Sequence, residues 1–334
     1  MTTDFSRRQL LSTAGAGIAL AGCARLTTSD APSQTAAIPD SGFSTPTRTW
    51  LASGRHVNVD GHRVFTYERG RGPSIVFIHG FPTSGFDWRD TIAKLSDDFH
   101  CIAFDQLGYG LSDKPRRWSY SLFQQADILE GLLKNLGVNA AHVVSHDVGT
   151  SLHTELLARQ AEGTLSFTMR AATFLNGSMI KSMASLTEFQ KNMEVPSRIP
   201  EARKLLAQML PGYVDSLKQL MARPERLSAA DETVMREIMA YQDGHLNIPS
   251  VYSYVRERYI HTDTWLDAIS KTRVPIQIVW AADDPVAVVA MGRALAGKVP
   301  QAKYSELPGV GHFTPIEAPD EVALAIRRME HAQG

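Results

Sequence analysis

Only two cysteines, Cys23 and Cys101, occur in 334 residues, too few for a disulfide framework. Charge does not accumulate either. Lys and Arg number 34 against 35 Asp and Glu, a formal net charge of -1, and without a long Lys/Arg block nothing offers a footprint for nucleic acid or an acidic polymer. Metal-ligand spacings of His and Cys are missing. The Gly-rich stretch Asp105 to Pro115 lacks both the Gly-Lys-Ser/Thr ending of a phosphate loop and the dinucleotide spacing, so it reads as a structural loop and no cofactor is implied. No apolar run reaches the roughly 20 residues of an ordinary membrane span. What remains is a composition with 43% hydrophobic residues, enough for one large core with or without an inserted subdomain.

Residues 1–22 differ from the rest. Ser6-Arg7-Arg8 precedes a short apolar run, and Leu20-Ala21-Gly22 leads into Cys23. A charged start, a short apolar stretch and small residues before a Cys read as an export signal. The paired arginines resemble a twin-arginine signal, and Leu-Ala-Gly-Cys resembles the lipobox in which the Cys is lipidated. The expectation is an exported protein, periplasmic or at the cell envelope, anchored to a membrane through Cys23. Residues 23–50, rich in Ser, Thr, Ala and Pro, read as a flexible tether. Cys101, inside His100 to Phe104, reads as a packed and inert thiol.

Alternation at His56 to Val59 and Arg63 to Tyr67 around Asp60-Gly61-His62 predicts a hairpin. Apolar runs at Ser74–Ile78, Cys101–Phe104, His142–Ser145, Ala171–Leu175 and Ile276–Trp280 predict strands, most of them buried on both faces of a mainly parallel sheet, and Ala302–Leu307 is expected to give the last strand. Helical patterns such as Leu122 to Leu136 lie between most of them. The class is α/β, with the ligand site at the carboxyl ends of the strands. Strand signals lapse over 178–270, where a helical cap is expected. Seven of the eleven methionines (Met179, Met183, Met193, Met209, Met221, Met235 and Met239) fall here and would suit an adaptable pocket wall, although packing between helices is the commoner role for any one of them.

Ala141 to Val144 runs into Ser145-His146-Asp147-Val148-Gly149 and then a helical pattern. That is strand, tight turn, helix: the geometry that exposes a nucleophile above a sheet. Small residues belong two places either side of the nucleophile, where a tight turn brings side chains against neighbouring backbone. Ser145 and Gly149 satisfy this for Asp147. Centring on Ser145 would place Val143 and Asp147 there, so a serine-esterase reading fits poorly. Helix capping by Asp147 is the plain alternative. Against it stand three further placements: His79-Gly80-Phe81-Pro82 after one strand, Asp283-Asp284 after another, and Gly311-His312-Phe313 after the last. The order is acid nucleophile, acid, His, with Asp284 preferred to Asp283 by spacing. The backbone N–H groups of Phe81 and Val148 are the oxyanion donors that this arrangement calls for.

These residues, with Asp105 to Ser112, resemble the α/β-hydrolase superfamily from about Gly54 to the C-terminus, implying its fold over 51–177 and 271–334. His-Asp-x-Gly is similar to the epoxide hydrolase and haloalkane dehalogenase branch. Phe81-Pro82-Thr83-Ser84 and Gly110 to Pro115, together with Ser145-His146-Asp147, resemble the mesoderm-specific transcript protein group. The resemblance implies a hydrolase acting through an alkyl ester on Asp147, most nearly epoxide hydrolase-like, on a small apolar substrate. Dehalogenases and epoxide hydrolases usually carry Trp where this chain has Val148. Epoxide hydrolases also protonate the opening ring with cap tyrosines; Tyr241 and Tyr254 are the preferred candidates, and Tyr213, Tyr252 and Tyr259 are also in the cap. The other readings are a haloalkane dehalogenase-like hydrolase, a serine esterase, and a non-catalytic lipoprotein that binds an apolar ligand.

Overall fold

The computed structural model describes residues 42–332 except 185 and 187. The expected signal segment, the expected lipidation site Cys23 and most of the expected tether lie outside the described residues.

Eight strands form one sheet in the order β1-β2-β4-β3-β5-β6-β7-β8. They are β1 (Arg55–Val59), β2 (His62–Arg69), β3 (Ser74–Ile78), β4 (His100–Phe104), β5 (Ala140–His146), β6 (Thr168–Leu175), β7 (Ile276–Ala281) and β8 (Lys303–Leu307). From β4 onward every neighbouring pair is parallel, and only β2, antiparallel to both of its neighbours, runs against the sheet. Asp60 and Gly61 both take positive φ, 49° and 85°, as a two-residue hairpin turn that follows strand twist requires. Parallel strands buried on both faces have no reason to alternate: β3 is apolar after Ser74, and β5 is buried after Ala140 although it carries His142, Ser145 and His146.

The helices are α1 (Thr45–Ser53), α2 (Arg89–Leu95), α3 (Leu122–Asn135), α4 (Val148–Glu162), α5 (Glu188–Met193), α6 (Ile199–Met209), α7 (Tyr213–Lys218), α8 (Ala229–Ala240), α9 (Gly244–Val251), α10 (Tyr254–Lys271), α11 (Val289–Lys298), α12 (Thr314–Glu317) and α13 (Pro319–His331). Those from α5 to α10 fill the interval between β6 and β7, where the sequence lacks strand signals. The last of them, α10, begins over the site described below and ends alongside α4, where Trp265 donates from Nε1 to Glu155 Oε2 at 3.0 Å.

One expected boundary is corrected. Composition predicts a tether through residue 50, but α1 starts at Thr45 with Pro46 in its first turn, a position where the missing N–H costs nothing. Trp50 is buried against Phe65, Tyr67 and Phe86, and the Ser44 N–H donates to the Glu237 carboxylate of α8. A single aromatic anchor holds this helix down, so no repeating apolar pattern announces it. Cys101 is buried in β4 and its thiol is pushed up to about 12 by burial. The Asp105 loop is structural, as expected: the carboxylate accepts from the N–H groups of Gly85 and Leu111 at 2.7 and 2.6 Å.

Candidate active site

Strand register decides what meets at the carboxyl edge. Ile78 lies beside Ser145, His146 beside Leu175, Leu175 beside Val279, and Ala281 beside Leu307. The residues that follow these strand ends therefore converge: His79-Gly80-Phe81 after β3, Asp147 after β5, Asn176 after β6, Asp284 after β7 and His312 after β8.

Asp147 takes φ 47° and ψ −117°, a conformation that costs an L-residue of order 1–3 kcal/mol and persists only where surrounding contacts enforce it. Two glycines show how close those contacts are. A Cβ on Gly149 would stand 2.7 Å from the Ile78 carbonyl oxygen, and one on Gly80 would stand 2.9 Å from Asp147 Cβ. The turn is pinned from inside as well, since the Asp147 carbonyl accepts from Thr150 N and Oγ1 at 3.0 and 2.6 Å. The side chain is 6% exposed, and its Oδ2 accepts from the Phe81 N–H at 2.8 Å. Val148 is buried and opens α4, so its amide is among the first-turn N–H groups without an intrahelical acceptor.

His312 Nδ1 stands 2.9 Å from Asp284 Oδ2. Burial alone would lower the imidazole pKa, but the Asp284 carboxylate, with help from Asp147 and Glu317, raises it from 6.5 to about 9. Asp284 is reciprocally held below its ordinary value. Burial opposes its charge, but His312, the Val286 N–H and the Asn176 amide outweigh burial. Its Oδ1 accepts from Val286 and Ala287 N–H at 2.7 and 3.0 Å, and its Oδ2 also takes the Asn176 Nδ2 donor at 2.7 Å. Asp283, by contrast, is exposed.

Three supporting residues were not singled out from sequence. Asn176, at positive φ of 44°, uses its Oδ1 to accept from Ala281 N and Thr314 Oγ1 while its amide holds Asp284. Its only sequence signal is its place directly after a buried strand. His146, assigned above to no role, has Nε2 2.8 Å from the His312 carbonyl oxygen. A carbonyl only accepts, so the proton sits on Nε2, and burial with the nearby His312 charge pushes His146 down to about 4. Glu317 is fully buried. Its carboxylate accepts from four backbone N–H groups: Gly311 and Phe313 on either side of His312, and Ala222 and Arg223 from the segment between α7 and α8.

Asp147 and His312 open onto one pocket of about 140 Å³, shared with Phe81, Tyr252, Tyr254 and Arg258. An adjoining pocket of about 300 Å³ shares Phe81, Pro82, Leu217 and Leu220 and is lined further by Met193, Met209 and Met239. The cap methionines thus wall the outer pocket and not the one over Asp147.

The tyrosines divide. Tyr254 is buried in the inner pocket, with ring centres 5.7 Å from Phe81 and 5.6 Å from Tyr252. The Tyr252 hydroxyl is buried without a hydrogen-bond partner among the described residues. Tyr241 is a correction. It caps α8 away from the pocket, packs on Phe43 at 5.8 Å and receives Gln242 Nε2 at 3.0 Å, because α8 turns this end toward the α1 side. Tyr213 reaches only the Pro82 carbonyl at 3.4 Å, and Tyr259 lines the inner pocket half-buried. Ser145 is fully buried within β5, with its Oγ 2.8 Å from His153 Nδ1, and does not line the pocket.

Known proteins share this fold. The family model described as alpha/beta hydrolase fold matches residues 73–319. A putative hydrolase, LipZ, of Mycobacterium tuberculosis is 36% identical over 279 residues, covering 83% of this chain and 96% of its own. The mesoderm-specific transcript homolog protein of Bos taurus is 30% identical over 259 residues, covering 75% and 76%. Among solved structures, the haloalkane dehalogenase DbeA from Bradyrhizobium elkani superimposes with a TM-score of 0.68 at 24% identity, covering 84% and 99% of the two chains. The epoxide hydrolase CorEH does so with 0.69 at 19% identity, with the same coverage.

Proposed function

The chain belongs to the α/β-hydrolase family, and from that premise we propose that it hydrolyses small electrophiles through a covalent alkyl ester on Asp147. The observation that carries this reading is the Asp147 carboxylate itself: it is strained at the elbow, bonded at 2.8 Å to the Phe81 N–H, and opens onto the pocket that His312 shares. A carboxylate is nucleophilic without a general base. One Asp147 oxygen attacks the electrophilic carbon and the leaving group departs with the bonding pair. The oxygen held by Phe81 becomes the ester carbonyl, where the same donor meets the charge that develops when water adds.

His312 then supplies the base. Asp147 is one of the charges that raise the imidazole pKa to about 9, and esterification removes that charge. The first step therefore makes His312 a readier base for the second, with Asp284 steadying the imidazolium that results. Epoxide opening is favoured over halide displacement by Tyr252 and Tyr254, which line the same pocket and whose phenols are of the kind that can protonate an alkoxide. Export and lipidation through Cys23, inferred from residues 1–23, place this hydrolase at the cell envelope.

His312→Gln incubated with a terminal epoxide is expected to retain the alkyl group on the peptide containing Asp147, read as an added mass. Turnover by this variant with no adduct would sink the covalent reading.

A further inference from the structure

Arg258, in the second turn of α10, is 6% exposed and lines the pocket of Asp147 and His312. Withdrawing a guanidinium from water is costly unless an anion and hydrogen bonds compensate. Two other partly buried arginines have such partners: Arg159 pairs with Asp127, Glu130 and Glu155, and Arg170 with Glu330. Arg258 has no ion-pair partner among the described residues. It donates from Nε to Ser151 Oγ at 2.8 Å and lies 5.1 Å over the Tyr254 ring, while its buried Nη2 has no hydrogen-bond partner among the described residues. Glu155, one turn beyond Ser151, has its oxygens committed to Arg159 and Trp265. Within the pocket His312 is paired with Asp284, and no carboxylate among the described residues forms an ion pair with Arg258.

Its place is defined. Ser151 follows Asp147 by four residues, about one turn of α4, so the residue that holds the guanidinium lies roughly 6 Å along the helix from the elbow. A planar fork of donors at that separation suits a carboxylate, attached within one or two carbons of the atom that Asp147 attacks.

Building on the covalent reading above, we propose that Arg258 anchors an anionic group of the substrate and that the inner pocket takes a short-chain carboxylate bearing its electrophilic carbon nearby, as in a 2,3-epoxy acid. This revises the wholly apolar substrate expected from sequence. The Met-lined outer pocket receives the hydrocarbon remainder, and the carboxylate fixes which carbon faces Asp147.

The test is binding, so that it does not depend on turnover. In the Asp147→Asn protein, isothermal titration with isobutyrate and with isobutyramide compares an anion with a neutral molecule of the same shape. The carboxylate is expected to bind about tenfold more tightly, a modest return for charge-assisted bonds to a buried guanidinium. The preference should vanish in Asp147→Asn/Arg258→Gln and persist in Asp147→Asn/Arg258→Lys, which keeps the charge. Equal affinity for the two probes in the arginine-bearing protein would overturn the proposal, even if the glutamine variant fails to fold. So would a preference that survives Arg258→Gln. Binding of bromide without binding of isobutyrate would also overturn it, by assigning the free donor to a halide leaving group. Failure of the covalent reading appears separately, as a missing adduct in His312→Gln.

Discussion

Raising the pH from 6.5 to 9.5 should cost the protein stability through one residue, His312. Its pKa rises from 6.5 to about 9 on folding; at about 1.4 kcal/mol per pKa unit this corresponds to about 3 kcal/mol. Because the folded value is the higher one, that stabilisation is complete below pH 6.5 and is lost as pH climbs through about 9. Lys114 works in the opposite sense over the same interval. Burial pushes its ammonium down to about 7, so the folded state sheds that proton early and gains stability with rising pH. Wild-type protein alone would show the two effects partly cancelled. The informative quantity is the stability of wild type minus that of His312→Gln, in which Lys114 contributes equally to both. Urea denaturation at pH 6.5, 7.5, 8.5 and 9.5 should show this difference shrinking by about 3 kcal/mol. Two curves that stay parallel would show that Asp284 and Asp147 do not hold a proton on His312, and the account of how the base is released would fall with them.

Asn176→Ala removes a donor from Asp284 and leaves the Ala281 N–H without its acceptor. A loss of about 1–3 kcal/mol in chemical denaturation is expected, with kcat falling and KM nearly constant, since Asn176 lies behind the acid and does not line the pocket. Glu317→Ala strips the acceptor from four backbone N–H groups and should cost at least about 3 kcal/mol, read as a lowered urea midpoint. Glu317→Gln, keeping one acceptor oxygen, should fall between the two.

Much of the molecule could be read from the chain because its central strands are buried on both faces and stand out as apolar runs. Strand ends then predict site positions, since whatever follows them sits at one edge; Asp284 after β7 is legible for that reason, and His312 by its place after the last strand, although β8 is partly exposed. Asp147 is legible through its neighbours, as the backbone contact at Gly149 tolerates no side chain. The cap offers no such register. Its helices are positioned by packing, so Tyr241 and Tyr254 look equivalent in sequence although α8 carries one away while α10 brings the other in. Arg258 carries no local signal at all, because its significance is the lack of a partner, which only the assembled pocket reveals.

The four donors to Glu317 come from two sources, two from the loop that carries His312 and two from the cap. One carboxylate therefore rivets the changeable part of the enzyme to the loop of His312. Replacing the cap with that of another hydrolase, the obvious route to a new specificity, would strip half of those donors and loosen that loop even if the new helices packed well. Cap and His312 loop are coupled through Glu317, and the graft that respects this runs from the cap through α12.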